Sequence, residues 1–332
     1  MTAQVDAAYL RASPAKSLGR VLAATLFEGR PLTARARFLN PLVRAVHASA
    51  ARLAGSVLPR PPLFVIGTGR SGTTWLAKVL SLHPEVALLN EPKALWHAAI
   101  PDEDLVGSYT RGPARLVLGP EDATPAARAR LGAGYALFLR LARARTLLDK
   151  YPELVFRVAC VRALFPGARF LWLVRRGADT CASVATWSHG HSVQWASERH
   201  DWWGVDGRKY ALLVAQGAAR DPELAAHTDE LAALTNDAAR AALEWLLAMR
   251  AGRAAEREFP GEILRIDYES LCQAPTRELQ RALAFAGLAP SARVLRYAEA
   301  VAEVHGKAPP PELPPFLAAV FARTQAELDA PR

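Results

Sequence analysis

The sequence predicts an α/β fold, a three-layer sandwich with a central parallel sheet and a P-loop-like anion-binding loop. Three observations predict it. Short all-apolar runs, as at Leu63 to Ile66, are those of strands buried on both faces. Helix-period segments alternate with them. A glycine-rich loop directly follows one such strand and opens a helix. The composition agrees: 332 residues, 51% hydrophobic and 22% charged, can bury a large core, which excludes global disorder, collagen and a simple coiled coil.

Taken in order, residues 1–60 form a basic helical arm. Nine basic positions (Arg11, Lys16, Arg20, Arg30, Arg35, Arg37, Arg44, Arg52 and Arg60) face Asp6 and Glu28, a balance of 9 − 2 = +7 within a chain total of +9. Asn40 followed by Pro41 predicts a helix start, and Leu42, Val46, Ala50, Leu53 and Val57 recur at helical spacing until Pro59. Such a segment suits a solvated helix packed on the main domain, an anionic lipid surface or nucleic acid. Nucleic acid is the poorest fit, because no aromatic residues interleave the charges. Pro61 and Pro62 are a stiff link, so a domain boundary is expected near residue 60, with residues 61–332 as the main domain. Further strands are expected at Phe170 to Val174 and Glu262 to Tyr268, and helices at 152–165, 178–187, 236–257 and 276–287. Segment 187–210, rich in Trp and His, has no clear period, and the tail from Pro309 is proline-rich.

No run of 18 apolar residues and no secretory leader pattern is present, so the expected setting is cytoplasmic, with the arm allowing attachment to a membrane surface. Cys160, Cys181 and Cys272 are an odd number in no metal-type spacing and are expected as small core residues. His189 and His191 alternate beside Trp187, Trp195, His200, Trp202 and Trp203 without a third ligand in a recognised spacing, so no metal is expected there. Aromatic faces in that segment suit an acceptor loop or ordinary packing.

The loop Gly67-Thr68-Gly69-Arg70-Ser71-Gly72-Thr73-Thr74-Trp75 carries the chemistry. Small residues let backbone N–H groups converge on an anion at a helix N-terminus. The spacing is that of a nucleoside-triphosphate loop, but Thr73 stands where the phosphate-reaching lysine belongs and the basic group is Arg70. A guanidinium there can grip a phosphate or phosphosulfate in two places without the Lys-plus-magnesium arrangement of triphosphate hydrolysis.

This loop with its strand resembles the 5′-phosphosulfate loop of sulfotransferases, which use 3′-phosphoadenosine 5′-phosphosulfate (PAPS) as donor. Phe170 to Arg175, with Ser183 eight residues on, resembles the 3′-phosphate site of that family. Ile266 to Leu271 resembles its strand-end tyrosine segment, with Tyr268 near the nucleotide. The likeness runs from about residue 62 to 290, making 61–332 a sulfotransferase domain, and departs from the pattern at Arg176, where the family commonly has aspartate. It implies cofactor contacts from Arg70, Ser71, Gly72, Thr73, Thr74, Trp75, Arg175, Ser183 and Tyr268, and catalysis without a metal.

Sulfuryl transfer needs a base for the acceptor's proton and cations for the developing charge. The small-molecule branch of the family places a histidine two residues after a lysine, but here Lys150 is followed by Tyr151 and Pro152. The tyrosine- and carbohydrate-directed branches place a glutamate about twenty residues beyond the loop arginine, a position Glu91 occupies. The resemblance thus implies Glu91 as base, with His97 in reserve and His83 structural. Lys150 resembles the lysine at the bridging oxygen, with Arg70 flanking the same phosphate. The expected acceptor is a small-molecule, carbohydrate or lipid-linked hydroxyl. A P-loop kinase-like phosphotransferase and a non-catalytic membrane-attached nucleotide-binding module are the rival readings.

Overall fold

The computed structural model describes residues 5–29, 37–303 and 307–330; Arg30 and Arg35 of the basic arm lie outside them. Five parallel strands form the central sheet: β1 (Leu63–Gly67), β2 (Val86–Asn90), β3 (Thr146–Lys150), β4 (Arg169–Val174) and, after the short antiparallel strands β5 (Val193–Trp195), β6 (Glu198–Asp201) and β7 (Gly204–Val205), β8 (Ile263–Asp267). Their order is β2-β3-β1-β4-β8. The chain leaves β1 toward β2, returns through β3 into the gap, and then crosses to β4 on the other side. The connection reverses at β1, and the carboxyl ends of strands at such a switch point form the ligand-binding crevice of an open α/β sheet.

Alternation of side chains across the strands builds two cores. Phe64, Ile66, Leu147, Phe170 and Trp172 pack on one face, against the helices Pro125–Ala142, Val158–Leu164, Gly177–His191 and Asp237–Glu258. Leu63, Val65, Leu148, Leu171 and Leu173 pack on the other, against Thr73–Leu80, Pro275–Phe285 and Ala292–Val301. Coverage on both faces explains why these strands read as continuous apolar runs. The strands β2 and β3 had no expectation of their own. Each ends on polar residues, Asn90 or Asp149-Lys150, which interrupt the apolar signal at its carboxyl end.

Three local expectations are corrected. The expected helix over 152–165 is a 3-10 segment, Pro152–Phe156, followed by the helix Val158–Leu164. The break falls at Arg157, whose buried guanidinium pairs with Glu103 at 3.1 Å and donates to the carbonyls of Leu116, Glu103 and Arg115. The helix Asn40–Ala54 continues from a 3-10 turn, Arg37–Leu39, so Asn40 is inside it and does not cap it. Its inward residues are Val43 and Ala50, with Val46 half-buried. Leu42, Leu53 and Val57 of the expected stripe are 50%, 61% and 87% exposed.

The earlier part of the arm is tied to the sheet edge. Tyr9 and Phe27 are fully buried, and Tyr9 hydrogen-bonds Ser81 at 2.7 Å. Lys16 donates to the Val86 carbonyl at 2.6 Å, and buried Arg20 pairs with Glu28 at 2.7 Å, whose carboxylate also accepts the Asn90 N–H. Two of the arm's cations therefore serve the fold and are not free surface charge. From the proline-rich tail, the helix Pro315–Asp329 forms and Phe321 packs on Trp245 at 4.7 Å. All three cysteines are buried and free.

Candidate functional site

Each of the five strands delivers one element of the site from its carboxyl end. The glycine loop leaves β1 at Gly67, Glu91 is the residue after β2, and Lys150 ends β3. Arg175 follows β4, and Tyr268 follows β8. The register aligns them, with Asn90 opposite Lys150 and Val174 opposite Asp267. Residues from Gly67 to Tyr268 thus share one rim.

In the loop, Ser71 is buried and its hydroxyl donates to the Thr68 carbonyl at 2.6 Å, closing the turn from inside. Thr73 is buried and Thr74 exposed on the first turn of the following helix. Trp75 is half-buried, its indole N–H directed at the Val301 carbonyl at 3.4 Å. Gly72 has φ +94°, and a Cβ there would lie 2.4 Å from the Tyr268 ring. Gly69 meets the Trp202 ring at the same distance. Only glycine lets two aromatic rings close on the loop.

The cations converge on the loop. The Arg70 Nε donates to Ser183 Oγ at 3.2 Å, and an Arg175 NH donates to the Arg70 carbonyl at 2.9 Å. The Arg175 guanidinium lies 4.5 Å over the Tyr268 ring, a cation–π contact that orients it. Burial lowers the Arg70 pKa, with the neighbouring Arg175 charge acting the same way and Glu91 opposing. Arg175 Nε and Thr68 Oγ1, moreover, are buried without a hydrogen-bond partner. Beside Arg70 and Ser183 opens a cavity of 350 Å³ walled by Thr186, Trp187 and His191, the last two stacked at 4.6 Å.

Glu91 sits in left-handed backbone geometry, φ +52°, and Arg70 likewise at +65°. Such conformations cost a non-glycine residue about 1–2 kcal/mol and persist where the surroundings impose them. For Glu91 the imposing bonds are its own N–H to the Lys150 carbonyl at 2.7 Å and Lys93 N–H to its carbonyl, also at 2.7 Å. Its carboxylate pairs with the ammonium of Lys150, which is itself buried to within 2%. Desolvation alone would raise the Glu91 pKa; Lys150 first and Lys93 second outweigh it and hold the carboxyl below its ordinary range. Glu91 is therefore an ionised, acceptor-only group about one-third open to the outside.

A buried charge ladder extends from it. Lys93 lies 3.8 Å from Glu91 and 3.5 Å from Glu153; Lys209 lies 3.6 Å from Glu153 and 2.5 Å from Glu244; Glu244 accepts the Trp202 indole N–H at 2.8 Å. Lys209 also stands 4.6 Å over the Trp202 ring. Trp202 thus joins the ladder to the loop it covers. Sequence reasoning missed Lys93, Glu153, Lys209 and Glu244, because they come from four separate segments in no shared motif. The Trp and His segment divides: Trp203 is fully buried and donates to Asp237 at 2.6 Å, while Trp187 and His191 line the cavity and Trp195 is exposed. His97 is turned to the Pro101 carbonyl at 3.1 Å and stacks on Tyr109. Buried His83 bonds the Ala289 carbonyl and the Glu85 N–H. Arg176 points away from the loop and pairs with Asp179 at 2.5 Å. Among the described residues, no group of three His, Cys, Asp or Glu could hold a metal ion. A larger cavity, 760 Å³, is lined by residues of β4, β8 and the chain after them, and its arginines are paired, as in Arg265 with Asp267 at 2.5 Å.

Comparison with known proteins gives a consistent picture. Residues 61–223 match the family model described as "Sulfotransferase family". The nodulation protein NoeE of Sinorhizobium fredii is 29% identical over 244 residues, covering 71% of this chain and 52% of NoeE, so the chain spans about half the length of that relative. Among solved structures, the sulfotransferase domain of the Synechococcus PCC 7002 olefin synthase aligns at 18% identity with a TM-score of 0.48, covering 83% of this chain and 96% of that one. Sulfotransferase STF1 of Mycobacterium tuberculosis H37Rv aligns at 15% identity with a TM-score of 0.47, covering 89% and 87%.

Proposed function

Residues 61–223 assign the chain to the sulfotransferase family, and from that premise we propose that it transfers a sulfuryl group from PAPS to a hydroxyl acceptor, with Glu91 as general base. The observation that carries the proposal is the convergence of the loop, Glu91, Lys150, Arg175 and Tyr268 on one rim. The unpartnered Arg175 Nε and Thr68 Oγ1 fit an anionic nucleotide, and they count as a test of that fit independent of the motif. Arg70, Ser71, Gly72, Thr73 and Thr74 would hold the phosphosulfate end and Arg175 with Ser183 the 3′-phosphate, while Tyr268 and Trp75 flank the nucleoside. The donor supplies an activated sulfuryl group already bearing a good leaving phosphate.

The chain's own residues supply the rest. Glu91, ionised and partly open, accepts the proton of the incoming hydroxyl. Lys150, fixed at the end of β3, can leave Glu91 for negative charge developing on the departing oxygen, and Arg70 neutralises the same region. Trp202 over Gly69 keeps water from the loop's inner side. Thr73 in place of a lysine, and the pairing of Glu91 with Lys150 beside Arg70, weigh against triphosphate chemistry and against a purely binding role. The acceptor class is a small-molecule or carbohydrate hydroxyl, including one linked to lipid.

The test uses radiolabelled PAPS with sugar, phenol and lipid extracts, together with thermal shifts. Adenosine 3′,5′-bisphosphate should raise the melting temperature while ATP with magnesium barely does. Glu91→Gln should keep that shift and lose roughly 10²-fold or more in turnover. Equal shifts from the two nucleotides, or near-normal turnover in Glu91→Gln, would overturn the assignment.

A further inference from the structure

The helix Asn40–Ala54 has one broad apolar side, and the fold covers only part of it. Val43 and Ala50 are fully buried, on the side facing the helix Pro125–Ala142 and Phe27. About a quarter turn round from them, Leu42 and Leu53 are eleven residues apart, three helical turns, and so lie in line about 16 Å from each other. They are 50% and 61% exposed; Phe38, four residues before Leu42, is 76% exposed, and Val57 beyond the helix is 87% exposed. Ala45, Ala48 and Ser49 fill the outward arc between the leucines, and the charged groups on it are Arg44 and Arg52, both exposed. Soluble surfaces carry single exposed apolar residues routinely, but an aligned row of them marks a contact surface.

Charge selects what covers it. From residue 29 to residue 84 the chain contains no aspartate or glutamate, while Arg37, Arg44, Arg52 and Arg60 all fall within that stretch. At the start of the row, the Arg37 guanidinium lies 3.6 Å over the ring of Trp195, an indole 55% exposed on β5 beside Val193 at 42%. The carboxylate nearest in that hairpin, Glu198, is already bound by Arg111 at 2.7 Å, and Glu85 by Arg60 at 2.9 Å. A second copy of the chain packed face to face would set Arg44 and Arg52 against their own kind with no carboxylate between them. Leucine and phenylalanine in a row, Arg52 on the exposed arc beside it and an indole at one end are instead what an interfacial helix presents to headgroups. At fifteen residues the helix is too short to span, and no described helix is long and apolar enough to cross a membrane.

We infer that the outward face of the helix Asn40–Ala54, with Phe38 before it and Trp195 at its end, docks on the surface of an anionic lipid bilayer. The inference is independent of the donor and of Glu91. Its geometry links to the site through the hairpin, because β5 follows directly on the helix Gly177–His191 that carries Ser183 and walls the cavity beside Arg70. A docked chain would keep that rim at the lipid surface.

Co-sedimentation of the full chain with vesicles tests it. Phosphatidylcholine vesicles with roughly 30% phosphatidylglycerol should pellet the protein at about 50 mM salt and roughly tenfold less at about 300 mM, and pure phosphatidylcholine should not pellet it. Leu42→Asp with Leu53→Asp, and separately Arg44→Gln with Arg52→Gln, should each weaken binding roughly tenfold or more with an unchanged melting temperature, since all four side chains are exposed. Failure to pellet with anionic vesicles at low salt overturns the inference. So does binding that either pair of substitutions leaves intact. A dimer in solution that Leu53→Asp dissociates would overturn it in favour of a second copy. If a double variant loses its cooperative melt, the salt and lipid dependence of the unaltered chain still decides.

Discussion

Glu153→Gln removes one charge from the middle of the buried ladder without changing side-chain size. Glu153 is 12% exposed and stands 3.5 Å from Lys93 and 3.6 Å from Lys209. Burial alone would push its carboxyl up; Lys93 and then Lys209 overcome that and bring it to about 2, against an ordinary 4.5. The separation of 4.5 − 2 = 2.5 pH units corresponds to about 3 kcal/mol of folding stability at neutral pH. Loss of one partner from a buried ion pair costs a similar amount. The folded-state value is depressed, so this contribution is complete above the unfolded value near 4.5 and is lost as pH falls through about 2. The variant should therefore melt roughly 5–10 °C lower than the parent at pH 7, and the gap should narrow as pH is taken below about 4.5. Circular dichroism melts across that range measure it. A gap corresponding to less than about 0.5 kcal/mol at pH 7 would refute the reasoning. A gap that stays constant down to the lowest pH at which the parent still melts cooperatively would refute it equally.

Two further outcomes are expected. Gly72→Ala places a methyl group 2.4 Å from the Tyr268 ring at φ +94°, so it should displace that ring and abolish the thermal shift from adenosine 3′,5′-bisphosphate; an unchanged shift would show that the loop and Tyr268 act separately. Lys93→Met removes one of the two cations that hold Glu91 down, leaving Lys150, Glu153 and Arg70 around it, so the Glu91 midpoint should move up. Carbon-detected titration of labelled glutamate carboxyls, assigned with Glu91→Gln, reads it directly, and an unmoved midpoint would remove Lys93 from any role in tuning Glu91.

The two kinds of site information were unequally written in the chain. Loop, strand and helix are contiguous at residues 63–80, so the anion cradle follows from local sequence: an apolar run that must be buried, small residues that free backbone N–H groups, and a helix start. Arg175 with Ser183 was named through family likeness, with the strand-end position of Arg175 as its only local support. Glu91 and Lys150 were named only through family likeness. Neither belongs to a motif with a physical signature, and the strands that place them, β2 and β3, end on polar residues that cut short their apolar runs.

Tertiary structure decided which charges meet. The order β2-β3-β1-β4-β8 sets the end of β3 between the ends of β2 and β1, and that placement brings Lys150 to Glu91 across 59 residues. Lys93, Glu153, Lys209 and Glu244 alternate in sign only once four segments are folded together, because Coulomb interaction depends on distance in space and leaves no trace in spacing along the chain. The arm shows the same division. Its composition determined that it is basic and helical, but packing alone chose which residues it hides. Lys16 and Arg20 are consumed by the edge of the sheet, Val43 and Ala50 turn inward, and Leu42 and Leu53, at equally helical spacing, are left outside. A periodic stripe specifies that a helix has an apolar side; how much of that side is covered depends on the neighbour that arrives, and that neighbour is supplied by the fold.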